Sequence, residues 1–329
     1  MMTHVPSRAG RAGWLMTTLA AAAFGAAQPV VAQDYPNKPI RIVIEYAAGA
    51  GGDVNLRVVT TQLSQIMGQP IVIENRAGAG GVVAAESVIR SAPDGYTLLG
   101  CTPNAIIVRP FLAKSNTINL ARDLTPITAL WITPSAMMVS SNLPVNSIKE
   151  LIEYARANPD KVAYGTTGVG THHHFNGEQL QLLTGAQLRH IPYKANAQAF
   201  TDLVSGEIPM VIGILATAAP FMKSGKIKVL SIQEKRVTEF PNAPMTSEVI
   251  PGFVPAPSWT ALFGPAKLPD PILRRLNGDI NKALASPEVR SREGFDLIGS
   301  SPEAFQKRIQ GDVALVGKIV KAANIQLTE

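Results

Sequence analysis

The chain alternates short β-branched runs with stretches of helical period. Residues 39–46 (PIRIVIEY) read as a strand, followed by a glycine-rich turn over 47–53 and a helical pattern over 54–67 that Gly68-Gln69-Pro70 stops. A second strand at 71–73 leads through Glu74-Asn75-Arg76 and Gly78-Ala79-Gly80-Gly81 to a helix ending near Ser91. Pro93-Asp94-Gly95 is a turn, and 96–101 a third strand. Three βα units in this order predict a parallel sheet with right-handed crossovers. Its βα loops then share one edge, where such sheets hold their ligands.

From 102 to 134 the pattern is irregular, with several prolines. It restarts with a strand at 135–140 and a helix at 147–157, opened by the capping-box pair Ser147 and Glu150. A strand at 162–164 then enters the loop Gly165-Thr166-Thr167-Gly168-Val169-Gly170-Thr171, and a helix begins with Phe175, Leu180 and Leu183 on one side. Beyond it lie His190-Ile191-Pro192-Tyr193-Lys194, a helix at 197–205, an apolar run at 208–215 and a strand at 229–232. Proline-rich segments at 241–244, 251–257 and 265–271 lead to terminal helices near 271–285 and 302–324. Two units of strand, glycine-rich loop and helix, near 50 and near 170, predict two α/β lobes whose loops point at each other. Ala-Gly-Ala-Gly-Gly occurs at both Ala48 and Ala77, as two similar turns and not a solenoid repeat.

The 329 residues, 46% hydrophobic and 16% charged, suffice for two cores and are too apolar for disorder. Residues 1–32 read as a secretory signal peptide: Arg8 and Arg11 precede an apolar run over 14–27, and Val30-Val31-Ala32 offers small residues before a cut ahead of Gln33. Arg8 and Arg11 are not adjacent, so this is no twin-arginine signal. The mature protein is thus expected to be soluble and exported. With the leader gone, 28 of the 30 basic residues remain against 24 acidic ones, a balance of +4. That favours a small anion; the cations are scattered, with no basic stripe to mark a nucleic-acid partner. The single cysteine, Cys101, ends an apolar run and reads as a buried small hydrophobe.

The loop over 165–171 carries the candidate chemistry. Strand, glycine-rich loop and helix start aim backbone N–H groups, the Thr166, Thr167 and Thr171 hydroxyls and the positive helix end at one point. This is half of an anion-binding cleft; the same residues also fit an ordinary βα turn. A dinucleotide site fits poorly, because Val54 stands at the third glycine position after Gly49-Ala50-Gly51 and His173 at the matching place after Gly168. His172, His173 and His174 are consecutive, so on a helix they diverge by about 100° and do not converge on one metal ion. One imidazole is expected to face the cleft while the others are solvated or cap backbone groups. No Gly-x-Ser-x-Gly elbow or Ser–His–Asp set marks a hydrolase. Passive capture by about five charge-assisted bonds of ~1.5–3 kcal/mol each, less an association cost of ~4 kcal/mol or more, gives micromolar affinity or somewhat tighter.

These residues in this order resemble a known family, the periplasmic receptors of tripartite tricarboxylate transporters, or Bug proteins. The likeness covers Tyr35 to the C-terminus. It rests on Tyr35-Pro36-Asn37-Lys38-Pro39-Ile40, on Gly49 with Asp53, and on Glu74-Asn75-Arg76 with Gly78-Ala79-Gly80-Gly81. Further support comes from Pro93-Asp94-Gly95-Tyr96-Thr97-Leu98, Asp123-Leu124-Thr125-Pro126, Gly168-x-Gly170-Thr171 with His174 and Glu178, and Pro192-Tyr193-Lys194. The resemblance implies a two-lobed, type II-like periplasmic-binding-protein clamp, each lobe a mostly parallel sheet flanked by helices, with the ligand cleft between them. Lobe 1 would comprise 34–130 plus 245–329 and lobe 2 131–244. It implies no enzyme activity and no cofactor, but a monomer that binds a small organic carboxylate and delivers it to integral membrane transporter subunits. An exported enzyme acting on an organic acid, or a ligand-presenting accessory of a signalling system, are the alternatives. Carried over by position, the first-lobe contacts are Tyr46, Ala48, Gly49 and Asp53, with Thr102 and Asn104 facing the cleft. Asp53 suits helix capping or water ordering better than direct contact with a carboxylate. The second lobe supplies Thr166, Thr167, Gly168, Gly170, Thr171 and His174, with Tyr193 at the rim. Glu45 and Ala48 replace prolines of the family pattern, and Ala50 and Ala195 replace glycines. Turned inward, Glu45 would oppose a second ligand carboxylate or welcome an ammonium; turned outward, it carries no meaning, and both orientations stand open.

Overall fold

The computed structural model describes residues 1–2, 35–113, 118–159, 161–237, 239–292 and 296–326. Apart from Met1 and Met2, the expected signal peptide lies outside the described residues. Two sheets organise the rest. The first contains β1 (Ile40–Ile44), β2 (Ile71–Asn75), β3 (Thr97–Cys101), β4 (Leu124–Ile132), β10 (Trp259–Pro265) and β11 (Asp296–Leu297), in the order β11-β4-β10-β3-β1-β2. The second contains β5 (Ser135–Ser140), β6 (Val162–Thr166), β7 (Leu188–Pro192), β8 (Met210–Ile214) and β9 (Ile227–Ile232), in the order β7-β6-β8-β5-β9. Helices α1 (Gly51–Met67), α2 (Val82–Ile89), α3 (Arg109–Leu112) and α4 (Leu120–Asp123) fall within the first part of the chain. A π-helical turn over Asn104–Val108 runs directly into α3. Then come α5 (Ile148–Ala157), α6 (His172–Thr184), α7 (Asn196–Ser205), α8 (Leu215–Met222), α9 (Thr246–Val249), α10 (Asp270–Leu284), α11 (Pro287–Arg290) and α12 (Pro302–Ala323).

Both sheets are mixed, which corrects the expectation of mostly parallel pairing. The successive βα units do pair in parallel, β1 with β2 and β3, and β6 with β7 and β8. The strands that carry the chain between sheets run the other way: β10 is antiparallel to β3 and β4, and β5 to β8 and β9. A parallel neighbour needs a helical crossover, whereas a strand returning from another sheet does not. The chain passes from the first sheet to the second between β4 and β5 and returns between β9 and β10. These two connectors are tied together: Gln233 N–H donates to the Ser135 carbonyl at 3.0 Å, and Ser135 N–H to Glu234 Oε2 at 2.7 Å.

Local signals read from the sequence act as expected at most helix ends. Gly68 stops α1 in the left-handed conformation at φ 67°, with its N–H donated to the Ser64 carbonyl. Ser147 caps α5 by accepting the Glu150 N–H at 3.2 Å. The Glu150 carboxylate reaches back one residue further than the usual box, to Asn146 N–H at 2.8 Å. The core of the first sheet gathers Trp259, Phe263 and Phe305, with Trp259 and Phe305 edge to face at a centroid distance of 5.1 Å. The Trp259 indole N–H, an inevitable buried donor, reaches Asp312 Oδ2 on α12 at 2.7 Å. Phe175 of α6 belongs to this same core although β6, just before it, belongs to the other sheet. Helix α6 also packs against α12 and is therefore shared by both lobes.

On its other side α6 meets Tyr164, which is fully buried and donates its hydroxyl to Glu178 Oε1 at 2.7 Å. The ring lies so close to Gly177 that a Cβ there would stand 2.4 Å from Tyr164 Cε2. Gly177→Ala gains up to about 1 kcal/mol of helix propensity but overpacks this contact at a cost of about 1–3 kcal/mol. The expected net result is a lower melting temperature in thermal unfolding, by about 2–4 °C for each kcal/mol lost.

Candidate functional site

A cavity of about 480 Å³ lies between the two sheets' loop edges. Its wall comes from both lobes: Glu45, Tyr46, Thr102 and Asn104 on one side, Thr167, Gly170, Thr171, His172 and His173 on the other. The connectors contribute Thr133, Pro257 and Ser258. Four helices begin at this wall. Gly51 and Gly52 open α1, Thr171 is the N-cap of α6 with His172 and His173 in its first turn, Asn196 opens α7, and Ile214 is the N-cap of α8 with Thr217 in its first turn. Each start presents unpaired N–H groups and a partial positive charge, together favourable to an anion. Among the described residues, the lining has no Lys and no Arg.

The α6 start is rigidly built. Thr171 accepts the His174 N–H at 3.4 Å and donates its hydroxyl to the Gly168 carbonyl at 2.8 Å. Gly170 N–H donates to His174 Nδ1 at 3.2 Å, and the His174 ring stacks on His190 at 4.1 Å. His172 and His173 sit against each other, ring centroids 3.9 Å apart, with His173 Nδ1 3.1 Å from the Thr167 hydroxyl. The Nε2 atom of each is buried with no partner among the described residues. Burial lowers the His172 pKa to about 4 and holds His173 well below the ordinary imidazole value. Both rings are neutral at pH 7, so they offer hydrogen bonds and not charge. The expectation that one imidazole faces the cleft is thereby corrected: His172 and His173 both line the cavity, none of the three rings is exposed, and His174 holds the loop from behind.

Of the residues named from sequence, Tyr46, Thr102, Asn104, Thr167, Gly170 and Thr171 line the cavity. Ala48 and Gly49 are exposed on the turn before α1, outside its wall. Asp53 is buried beside that turn and accepts Gly49 N–H at 2.8 Å and Asn75 Nδ2–H at 2.9 Å. Hydrogen bonding from Arg57 leads the effects that bring its pKa down to about 2. Thr166 is buried with its hydroxyl 2.6 Å from His190 Nε2 and accepts Gly168 N–H at 3.1 Å. Gly168, at φ 118°, shapes the loop without facing the cavity. Tyr193 packs against Gly165 and donates its hydroxyl to Asp202 at 2.8 Å. These six, with His174, divide into a scaffold for the loops (Asp53, Thr166, Gly168, His174, Tyr193) and an exposed turn (Ala48, Gly49).

Glu45 turns inward. Its Oε1 accepts both the Thr102 N–H at 2.9 Å and the Thr102 hydroxyl at 2.5 Å, and burial pushes its pKa up to about 7. Sequence reasoning missed Trp131, Thr133, Asn196, Thr217 and Thr260. Asn196 carried a usable signal, a polar residue directly before the helical pattern over 197–205. Thr260 enters through β10, where its hydroxyl meets that of Tyr46 at 2.8 Å. Cys101 is fully buried, its thiol pKa raised by burial.

Comparison with known proteins gives a consistent picture. The profile of TctC, the tripartite tricarboxylate transporter family receptor, matches residues 55–325. Protein BugT of Bordetella pertussis is 35% identical over 281 residues, which cover 84% of this chain and 85% of BugT. Among solved structures, R. palustris Rpa4515 with adipate superposes with a TM-score of 0.75 at 30% identity, covering 89% of this chain and 100% of that one. MatC from Rhodopseudomonas palustris with bound malate gives a TM-score of 0.70 at 26% identity, covering 87% and 100%.

Proposed function

Because the chain belongs to the tripartite tricarboxylate transporter receptor family, whose members are periplasmic solute receptors and not enzymes, we propose that it closes on a small organic carboxylate and hands it to a membrane transporter. The observation that carries this reading is the convergence of four helix starts on a cavity lined, among the described residues, by no lysine or arginine. A carboxylate is held there by main-chain N–H groups, threonine hydroxyls and neutral imidazoles. The two relatives solved with adipate and malate bind acids of a size such a volume accommodates. The lobes that close follow the two sheets, in outline residues 34–130 with 245–329 and residues 131–244, except that Trp131 and Ile132 lie on the first sheet and Ile250 and Phe253 in the core of the second, and the protein acts as a monomer.

A thermal-shift screen of dicarboxylates, tricarboxylates, aromatic acids and acidic amino acids tests the reading. At least one acid is expected to raise the melting temperature and to bind with micromolar affinity or tighter; stabilisation by none of them overturns it. Thr171→Ala removes both the α6 cap and a hydroxyl of the wall. It is expected to cost about 1 kcal/mol of stability. Affinity for the acid found in the screen should fall about tenfold or more, as for loss of a hydrogen bond to a charged group. Calorimetric titration reads this directly, and unchanged affinity removes Thr171 from the site.

A further inference from the structure

Resting on the reading of the cavity as a carboxylate site, we propose that its ligand also carries an ammonium group, and that Glu45 receives that cationic end. Glu45 is the only acidic residue of the wall among the described residues. The two donors that reach it, the Thr102 N–H and hydroxyl, both serve Oε1. Oε2 is buried and has no partner among the described residues. A buried carboxylate oxygen without a donor is costly, and native structures keep such groups where something else completes them. The slot that holds it exists because residue 81 is glycine: at φ 96°, a Cβ built there would lie 2.0 Å from Oε2. The carboxyl is thus accommodated, and its position on the cavity wall is built into the loop after β2.

Charge complementarity then selects the class of ligand. The rest of the wall supplies donors and helix starts that suit one carboxylate and, among the described residues, no lysine or arginine that would neutralise Glu45. A second ligand carboxylate at the Glu45 end meets a like charge or must wait for Glu45 to take a proton. An ammonium instead restores the ionised form that burial disfavours. The preferred solute is therefore a zwitterionic ammonium carboxylate, with plain dicarboxylates binding more weakly.

Calorimetric titration of the full-length mature protein at pH 8 with matched pairs reads this preference: succinate against 4-aminobutanoate, glutarate against 5-aminopentanoate, adipate against 6-aminohexanoate. Each pair keeps the chain length and exchanges one carboxylate for an ammonium. The aminoalkanoate of at least one pair is expected to bind tenfold tighter or more than its diacid, and E45Q, nearly isosteric, should erase or reverse that order. Equal or tighter binding of the diacids by the unaltered protein overturns the inference whatever E45Q does, and leaves the carboxylate reading standing. A preference that survives unchanged in a folded E45Q also overturns it. Binding of none of the six compounds, while another acid of the screen binds, sinks the ammonium assignment alone. Binding of no acid at all sinks both.

Discussion

Gly170→Val should reduce ligand affinity at least 100-fold while leaving a folded protein. Gly170 sits at φ 79°, in the left-handed region where a side chain costs about 1–2 kcal/mol. More important is what lies beside it. A Cβ there would stand 3.0 Å from Leu112 Cδ1 and 3.4 Å from Val108 Cγ1, and both belong to the segment after β3 of the first sheet. Gly170 itself follows β6 of the second sheet, so a valine becomes a wedge between the two walls of the cavity. Its N–H, donated to His174 Nδ1, also fixes the turn that opens α6. Loss of the turn and loss of approach act together, because both displace the wall donors by the sort of ångström-scale error that charge-assisted contacts do not tolerate. Gly185→Val separates strain from wedging. Gly185 has a similar φ of 69° at the C-cap of α6, with nothing within 4 Å of a built Cβ. It should lower the melting temperature without changing affinity. Equal loss of affinity in both variants, or none in Gly170→Val, refutes the wedge.

The strands and helices that obey one period were legible from residue order alone, and those that violate it were not. Strand β4 lay in the stretch 102–134 that reads as irregular, because Pro126 interrupts it and its buried positions do not alternate. The proline is accommodated by tertiary context: the β4–β10 register slips between Leu262 and Phe263, which faces Pro126, and the two-residue β11 pairs only with Trp131 and Ile132. Strand β10 is buried at all seven positions and reads as one more apolar patch between prolines. These two antiparallel strands are the ones that bring Trp131 and Thr260 to the cavity. At the site, the glycine and threonine loop announced its helix start, since capping depends on neighbours in sequence. The inward turn of Glu45 depends instead on Thr102, 57 residues along the chain, and on the room beside Gly81, and the shielding of His172 and His173 on the packing of the folded chain. Asp53 and Thr166 show the converse: both stand in site-like motifs, yet their polar atoms are consumed by Gly49, Asn75, Gly168 and His190.

Glu234→Gln should raise the melting temperature at pH 8 by several degrees and leave it nearly unchanged at pH 5. Glu234 lies where the two connectors meet, outside the cavity wall, with Oε2 accepting the Ser135 N–H at 2.7 Å. The Ser135 hydroxyl is 2.9 Å from both Glu234 Oε1 and Gln233 Oε1, and its one proton serves one acceptor at a time. A proton on Glu234 completes the set. Burial likewise pushes its pKa from 4.5 up to about 7. Between those values the folded chain holds a proton the unfolded chain has released, so the stabilisation is complete below about pH 4.5 and is lost as pH rises through 7. The loss is about 1–3 kcal/mol, and a neutral amide escapes it. Glu45 contributes in the same direction. The buried histidines oppose it: His172 and His190 are lowered from 6.5 to about 4, and His173 well below its ordinary value, so they stabilise the fold above pH 6.5 and cost stability as pH falls toward 4. Three imidazoles against the two carboxyls raised to about 7 place the stability maximum near pH 6.5, with a decline toward pH 4.5 that Asp312, also raised by burial, makes shallower, and a steeper one below. Thermal unfolding of the unaltered protein and of Glu234→Gln across pH 4–8 measures both slopes. A destabilised variant at pH 8, or a difference that does not change with pH, would show that the connector carboxyl is ionised and anchored as such.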